Sequence, residues 1–196
     1  MANKVPAIII AAGESKRLGR PKAFVEVAGK NLLQHALEKA ILSKCEPVVI
    51  VTNKENLFQV TIQSEGAITV LNSNPEYGRT GSIQVGLNAI ISETGKVPKK
   101  IIFIPVDRPG WKSDSIVNLL ESKTSSCLSC GGIKGHPVSI VEKDLLSILG
   151  SEKDSPLRDI VSFDLVDVDE PLLYLNIDTE KDVVELLENE HFFTTL

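Results

Sequence analysis

Three apolar runs with little alternation, "VPAIIIAA" (5–12), "PVVIVT" (47–52) and "KKIIFIPV" (99–106), mark the first half of the chain. Unbroken runs of this kind belong to strands buried on both faces, as in a parallel sheet. The stretches between them carry helical periodicity. "NLLQHALEKAILSK" repeats apolar positions at Leu33, Leu37, Ala40 and Ile41, with Asn31 placed to cap the helix. "KENLFQVTIQSEG" ends at Gly66, a C-terminal stop, and "TGSIQVGLNAII" repeats at Ile83, Leu87, Ile90 and Ile91. "SDSIVNLLESK" has Ser113 ahead of its own helix. The order β-α-β-α predicts an α/β fold with right-handed crossovers.

The rhythm changes after Thr124. "SSCLSCGGIKGHPVSIV" predicts two strands around a Gly-rich turn, "KDLLSILG" a helix and "SPLRDIVS" a shorter one. "LLYLNI" reads as a late strand before the helix "TEKDVVELLENE". The expected architecture is Rossmann-like α/β: a mostly parallel sheet, helices on both faces, and a C-terminal antiparallel addition. No repeat or Pro/Ser linker interrupts the chain, so residues 1–196 are expected to form a single domain.

Composition narrows the function classes. Hydrophobic residues make up 42% and charged residues 24%, and no apolar run approaches the ~20 residues of a membrane helix. Lys4 precedes the apolar run, but no small-x-small cleavage pattern follows it, so the chain reads as cytoplasmic rather than secreted. The net charge of -5 gives no global attraction for nucleic acid or anionic lipid, and any polyanion must be held by a local cluster. Cys127 and Cys130, three apart in a strand, are expected on opposite faces; with Cys45 alone elsewhere, neither zinc nor a redox pair is indicated.

Such a local cluster exists. "AAGESKRLGRPKAF" (11–24) follows the first strand and gathers Lys16, Arg17, Arg20 and Lys22, while Gly13 and Gly19 permit backbone that turns amides toward an anion. It is neither a Walker A loop nor a dinucleotide fingerprint, and a solvated basic turn is the plain alternative. In parallel sheets ligands bind at the carboxyl ends of strands. "PVDRPG" follows the third run, so Asp107 is expected on the same edge as Gly13, as a magnesium ligand if the anion is a triphosphate, or otherwise as a helix cap. Asp178 in "NIDTEKD" is a second carboxylate, with capping as the competing role. "DVDE" (167–170) resembles a DxD metal motif but reads as a solvated acidic turn. His35 falls in an amphipathic helix, His191 in a fraying tail, and His136 in a turn where it could line a pocket; no Ser or Cys nucleophile accompanies it.

As a set these motifs resemble the molybdenum cofactor nucleotidyltransferases, the cytidylyl- and guanylyltransferases that attach a nucleotide to molybdopterin. The resemblance runs through "IIIAAGESKRLGRPKAFVEVAGKNLLQHAL", "NPEYGRTGSIQVGL", "PVDRP", "GIKGHPVSI" and "NIDTEKDV", in family order across nearly the whole chain. It implies Ala11, Ala12 and Gly13 around base and ribose, Arg17 and Lys22 on the phosphates, and Ser82 in the nucleotide pocket. It also implies Asp107 on magnesium with Asp178, aided by Asn176, on the same metal, and His136 and Pro137 near the acceptor. Residues 1–122 would bind the NTP and residues 123–196 the acceptor. The implied reaction is magnesium-dependent transfer of an NMP group to a phosphorylated acceptor, with CTP favoured over GTP by Ala11-Ala12-Gly13. The late Asn176-Ile177-Asp178-Thr179 mixes the two groups' patterns, and Arg108 stands where Gln or Met is usual. Implied partners are small molecules and a recipient molybdoenzyme, not nucleic acid or membrane, and the expected state is a monomer or weak oligomer. Other phosphorylated acceptors (a sugar phosphate, a cobalamin or isoprenoid precursor) and a non-catalytic nucleotide-binding module are the alternative readings.

Overall fold

The computed structural model describes residues 4–194. The chain begins with β1 (Ala7–Ala11), then after a short 3-10 turn a small hairpin of β2 (Glu26–Val27) and β3 (Lys30–Asn31). α1 (Leu32–Leu42), β4 (Val48–Thr52), α2 (Leu57–Ile62), β5 (Ile68–Leu71), α3 (Gly78–Thr94) and β6 (Lys100–Pro105) complete the first half. There follow α4 (Ser113–Glu121), β7 (Ser126–Cys130), β8 (Ile133–Val141), α5 (Glu142–Leu149), α6 (Leu157–Ile160) and β9 (Asp164–Asp167). The last helices are α7 (Glu180–Glu188) and α8 (His191–Thr194). None of the described helices is long and apolar enough to cross a membrane.

The main sheet runs β5-β4-β1-β6-β8-β7-β9. β5, β4, β1 and β6 pair in parallel, β8 runs antiparallel to both β6 and β7, and β9 is parallel to β7. The antiparallel addition is therefore one reversed strand inside an otherwise co-directional sheet. Successive side chains of a strand alternate between faces. Ala7, Ile9, Ala11, Ile50 and Ile104 meet α1, α4 and α7 on one side. Ile8, Val49, Val51 and Phe103 meet α3 and α5 on the other. This two-sided burial is why the strands carry unbroken apolar runs. Cys127 and Cys130 pack toward opposite faces as expected.

Several local expectations are corrected. "LLYLNI" is not a strand: Leu172, Leu173, Leu175 and Ile177 are buried, but their backbone closes in local turns, with Leu173 and Leu175 amides donating to the carbonyls of Glu170 and Leu172. An irregular segment laid on a core buries alternate side chains as a strand does, so the pattern alone does not separate them. The edge strand is β9, which ends at Asp167. "DVDE" is not wholly solvated, because buried Glu170 accepts from the Lys112 amide at 3.1 Å and the Ser115 hydroxyl at 2.6 Å. That carboxylate serves the first turn of α4, and Ser113 lies inside the helix rather than capping it. α2 stops at Ile62, short of Gly66, and Ile41 in α1 is half exposed. Asn31 does cap α1, in a reciprocal box with Gln34. His191 opens α8 rather than a frayed end, and Phe193 there sits edge-on to the His35 ring.

Candidate functional site

β1 is flanked by β4 on one side and β6 on the other, so strand order reverses there and a crevice opens at the carboxyl ends. It holds a cavity of about 290 Å³ lined by Ala11, Ala12, Gly13, Lys22, Ser82 and Asp107, among others. That volume is at the small end of the ~300–1,000 Å³ range of ligand pockets.

The loop leaving β1 folds back on Ser15. Ser15 has a φ of 52° and Gly19 one of 73°, and the amides of Leu18 and Gly19 donate to the Ser15 carbonyl at 3.1 and 3.0 Å. Gly13, by contrast, does not have a positive φ. The Ser15 hydroxyl then accepts from the Lys22 amide at 3.1 Å, and Leu18 is buried in the core. These contacts return Lys22 to the strand edge with its ammonium inside the cavity.

Lys22 meets both predicted carboxylates. Its Nζ lies 3.2 Å from Asp107 Oδ2 and also contacts Asp178 Oδ1. Arg17 Nη2 is 2.9 Å from Asp178 Oδ2, and the Asn176 amide donates to that same oxygen at 2.6 Å. Two features bring Asp178 here from 71 residues beyond Asp107. The Ile177 amide donates to the Asp107 carbonyl at 2.9 Å. Gly110 leaves room for the segment to descend, since a Cβ there would meet the Leu172 carbonyl oxygen at 1.8 Å. Asp178 does not cap α7: Thr179 and Asp182 form the capping box, which leaves its carboxylate free for Lys22 and Arg17. Burial pushes the Asp178 carboxyl up, but the hydrogen bond and charge of Lys22, the Asn176 amide and Arg17 outweigh it and hold it below the usual range.

The four loop cations divide. Lys16 pairs with Glu14 at 2.5 Å on the surface, and Arg20 makes a two-pronged contact with Glu180 at 3.1 and 3.0 Å. Of the four, only Arg17 and Lys22 approach Asp107 or Asp178. Ser82 is buried, its hydroxyl donating to the Gly78 carbonyl and accepting from Asn72 Nδ2, both at 3.0 Å. His136 is not in a turn but within β8, and it lines a neighbouring cavity rather than this one. Its ring stands edge-on to Phe103, with centroids 6.0 Å apart.

Two residues were not singled out from the sequence. Asn53 follows β4 and donates to the Ala12 carbonyl at 3.3 Å, steadying the loop from the side. Arg79, in the first turn of α3, lines both this cavity and its neighbour. The readable signal for each was a polar residue directly after a buried strand or at a helix start beside it.

The donor set suits a hard divalent ion. Two carboxylates converge on one ammonium, and magnesium commonly takes one or two carboxylates and completes its shell with phosphate and water. No cluster of three or more His, Cys, Asp or Glu that could hold a metal occurs among the described residues, so a metal here would depend on oxygens from its substrate.

Comparison with known proteins places the chain in a family and supports its fold. The chain is 30% identical over 141 residues to a 2-C-methyl-D-erythritol 4-phosphate cytidylyltransferase of Photorhabdus laumondii, covering 67% of the chain but only 57% of that protein. It is 22% identical over 203 residues to a molybdenum cofactor guanylyltransferase of Rhizobium johnstonii, covering 92% and 90%. A nucleotidyl transferase from Methanothermobacter thermautotroptrophicus superposes over 100% of both chains with a TM-score of 0.79 at 18% identity, a likeness of fold. Residues 7–168, from the first strand through β9, match the MobA-like NTP transferase domain, and the chain belongs to that family.

Proposed function

We propose that the protein is a magnesium-dependent nucleotidyltransferase that moves an NMP group from an NTP, CTP in preference to GTP, to the phosphate of molybdopterin. The observation that carries this reading is the Lys22 ammonium held between Asp107 and Asp178 at the mouth of a strand-end cavity. Family membership and relatives on both the cytidylyl and guanylyl sides support it.

In this reading Ala11, Ala12 and Gly13 receive base and ribose, and buried Ser82 holds the start of α3 against them. An oxygen of the acceptor phosphate attacks the α-phosphorus, the bond to the bridging oxygen of the β-phosphate breaks, and pyrophosphate leaves. Lys22 and Arg17 balance the charge that grows on the α-phosphate and the leaving group, and they are already placed by their carboxylate partners before substrate arrives. Asp107 and Asp178 are the residues that would hold magnesium, which when bound adds charge stabilisation for the triphosphate. No covalent enzyme intermediate is required. His136 stands on the acceptor side, and the two halves, 1–122 and 123–196, act as one domain around a shared sheet.

The test is to mix the protein with molybdopterin and each NTP in turn and follow pyrophosphate release. CTP is expected to react fastest. A phosphorylated sugar alcohol run in parallel addresses the acceptor suggested by the name of the Photorhabdus relative. Absence of pyrophosphate with every pair would overturn the transferase reading.

A further inference from the structure

We propose that a second cavity beside the nucleotide cavity selects acceptors that carry a second anionic group besides the reacting phosphate, and that Arg108 is the main residue reading it. The proposal rests on the transferase reading above and specifies its acceptor class.

The cavity measures about 360 Å³ and meets the first at Arg79, which lines both. Arg108, Lys134 and Arg158 complete its charged wall, and no carboxylate lines it. At the end of β6 the chain thus sends consecutive residues to different places: Asp107 to the nucleotide cavity and Arg108 to its neighbour. Among the described residues Arg79, Arg108 and Lys134 form no ion pair. Arg158 has only a 3.7 Å approach to Asp159, and its side chain is 87% exposed. Arg108 is half-buried, and its only side-chain hydrogen bond among the described residues is a long one, 3.4 Å from Nη1 to the Tyr174 carbonyl. Its planar fork therefore keeps free donors suited to a carboxylate or phosphate.

In a chain of net charge -5, four cations around one carboxylate-free hollow, three of them without an ion pair among the described residues, form a local anion-attracting field. Arg79 at the junction is placed for the reacting phosphate. Of these two cavities the other three line only the second, so a phosphate held at Arg79 leaves them for a second anionic group. The wall between them supports the same assignment. His136 Nδ1 is buried with no hydrogen-bond partner among the described residues, and burial together with Arg79 and Arg108 lowers the ring to a pKa of about 3. A neutral imidazole adds no further cation and leaves a polar edge beside the guanidiniums. Leu157 and Phe163 supply apolar surface for the body of the ligand.

The full chain carrying ¹⁵N-histidine would be titrated with 3-phosphoglycerate, which has a phosphate and a carboxylate, and with glycerol 3-phosphate, which has the phosphate alone. The His136 ring resonance reports occupancy of the cavity without any nucleotide. The expected result is that 3-phosphoglycerate binds about tenfold more tightly, the effect of one charge-assisted pair. Arg108→Gln and Arg158→Ala should each reduce that preference, Arg108→Gln to about twofold, with glycerol 3-phosphate little changed and circular dichroism confirming the fold. Equal affinity for the two probes, an unmoved His136 resonance, or a preference that survives both substitutions would overturn the proposal. If the preference holds while no NTP and acceptor pair releases pyrophosphate, the transferase reading fails and the anion subsite stands. Pyrophosphate release without the preference would remove the subsite alone.

Discussion

Lys22→Ala removes the cation on which the site converges. Its ammonium is 3.2 Å from Asp107 and in contact with Asp178, and the side chains of those carboxylates are only 28% and 15% exposed. Without it Asp178 keeps Arg17, whose side chain is 71% exposed, and Asp107 loses its only ion-pair partner among the described residues. A hydrogen bond to a charged group contributes about 1.5–3 kcal/mol. Water reaches both carboxylates in part, which places each contact at the low end, so the two together should cost about 2–3 kcal/mol of folding stability. In the proposed mechanism Lys22 meets the reacting phosphates, and its loss should lower kcat by about 10²–10³. Urea unfolding at pH 7 reads the first quantity and pyrophosphate release the second. A double-mutant cycle ties the loss to the carboxylates: adding Asp107→Asn to Lys22→Ala should recover stability by removing the charge that Lys22→Ala leaves uncompensated. Unchanged urea midpoint and turnover in Lys22→Ala would refute the reasoning, and a double variant weaker than the single one would refute its electrostatic cause.

Asp107→Ala should abolish pyrophosphate release while shifting the thermal midpoint only slightly, because its carboxylate is partly solvated; wild-type turnover would end the proposed metal role. Gly86→Ala tests the packing of α3 on β1: the new Cβ would meet Ile8 Cγ2 at 2.7 Å and Val51 Cγ2 at 3.1 Å. Overpacking of this kind costs about 1–3 kcal/mol, and an unaltered melting temperature would argue against so close an approach. Lys39 is buried, donating to the Pro109 carbonyl at 3.0 Å and the Trp111 carbonyl at 2.6 Å, and burial lowers it from 10.5 to about 7 despite the opposing pull of Glu170. Between those values the unfolded chain holds more protons than the folded one, so stability should rise with pH from about 7 toward 10 and lie flat below. Lys39→Met should remove that slope in urea titrations at pH 7, 8 and 9, and a flat wild-type profile would contradict the burial of a charge there.

The strands and the main helices were legible in the sequence because burial on both faces leaves a direct trace. "AIIIA" has no polar alternation because Ile8 and Ile9 face different helical layers, and both are fully buried. β5 and the β2–β3 hairpin escaped notice, being short and, in β5, only half-buried. The misassigned "LLYLNI" had the right burial and the wrong backbone. Its place depends on Gly110 and Gly135, where a Cβ would strike Leu172 and Leu173 respectively, contacts between residues far apart in sequence.

By itself the sequence determined the α/β order, the basic loop after β1, the strand-end position of Asp107, and the kinship carried by motifs in their proper order. These are local or sequential properties, written in spacing and residue type. Only the tertiary structure decided which cations work together. Lys16 and Arg20 are as basic as Arg17 and Lys22, but nearby glutamates occupy them at the surface, while the Ser15-anchored turn delivers Lys22 inward. It also decided that Asp178 pairs with Lys22 and Arg17 rather than capping its own helix, since Thr179 and Asp182 already satisfy the cap. Charge is legible along a chain. Whether a charge is already neutralised depends on partners up to 160 residues away, as with Arg20 and Glu180, and only folding brings those partners into contact.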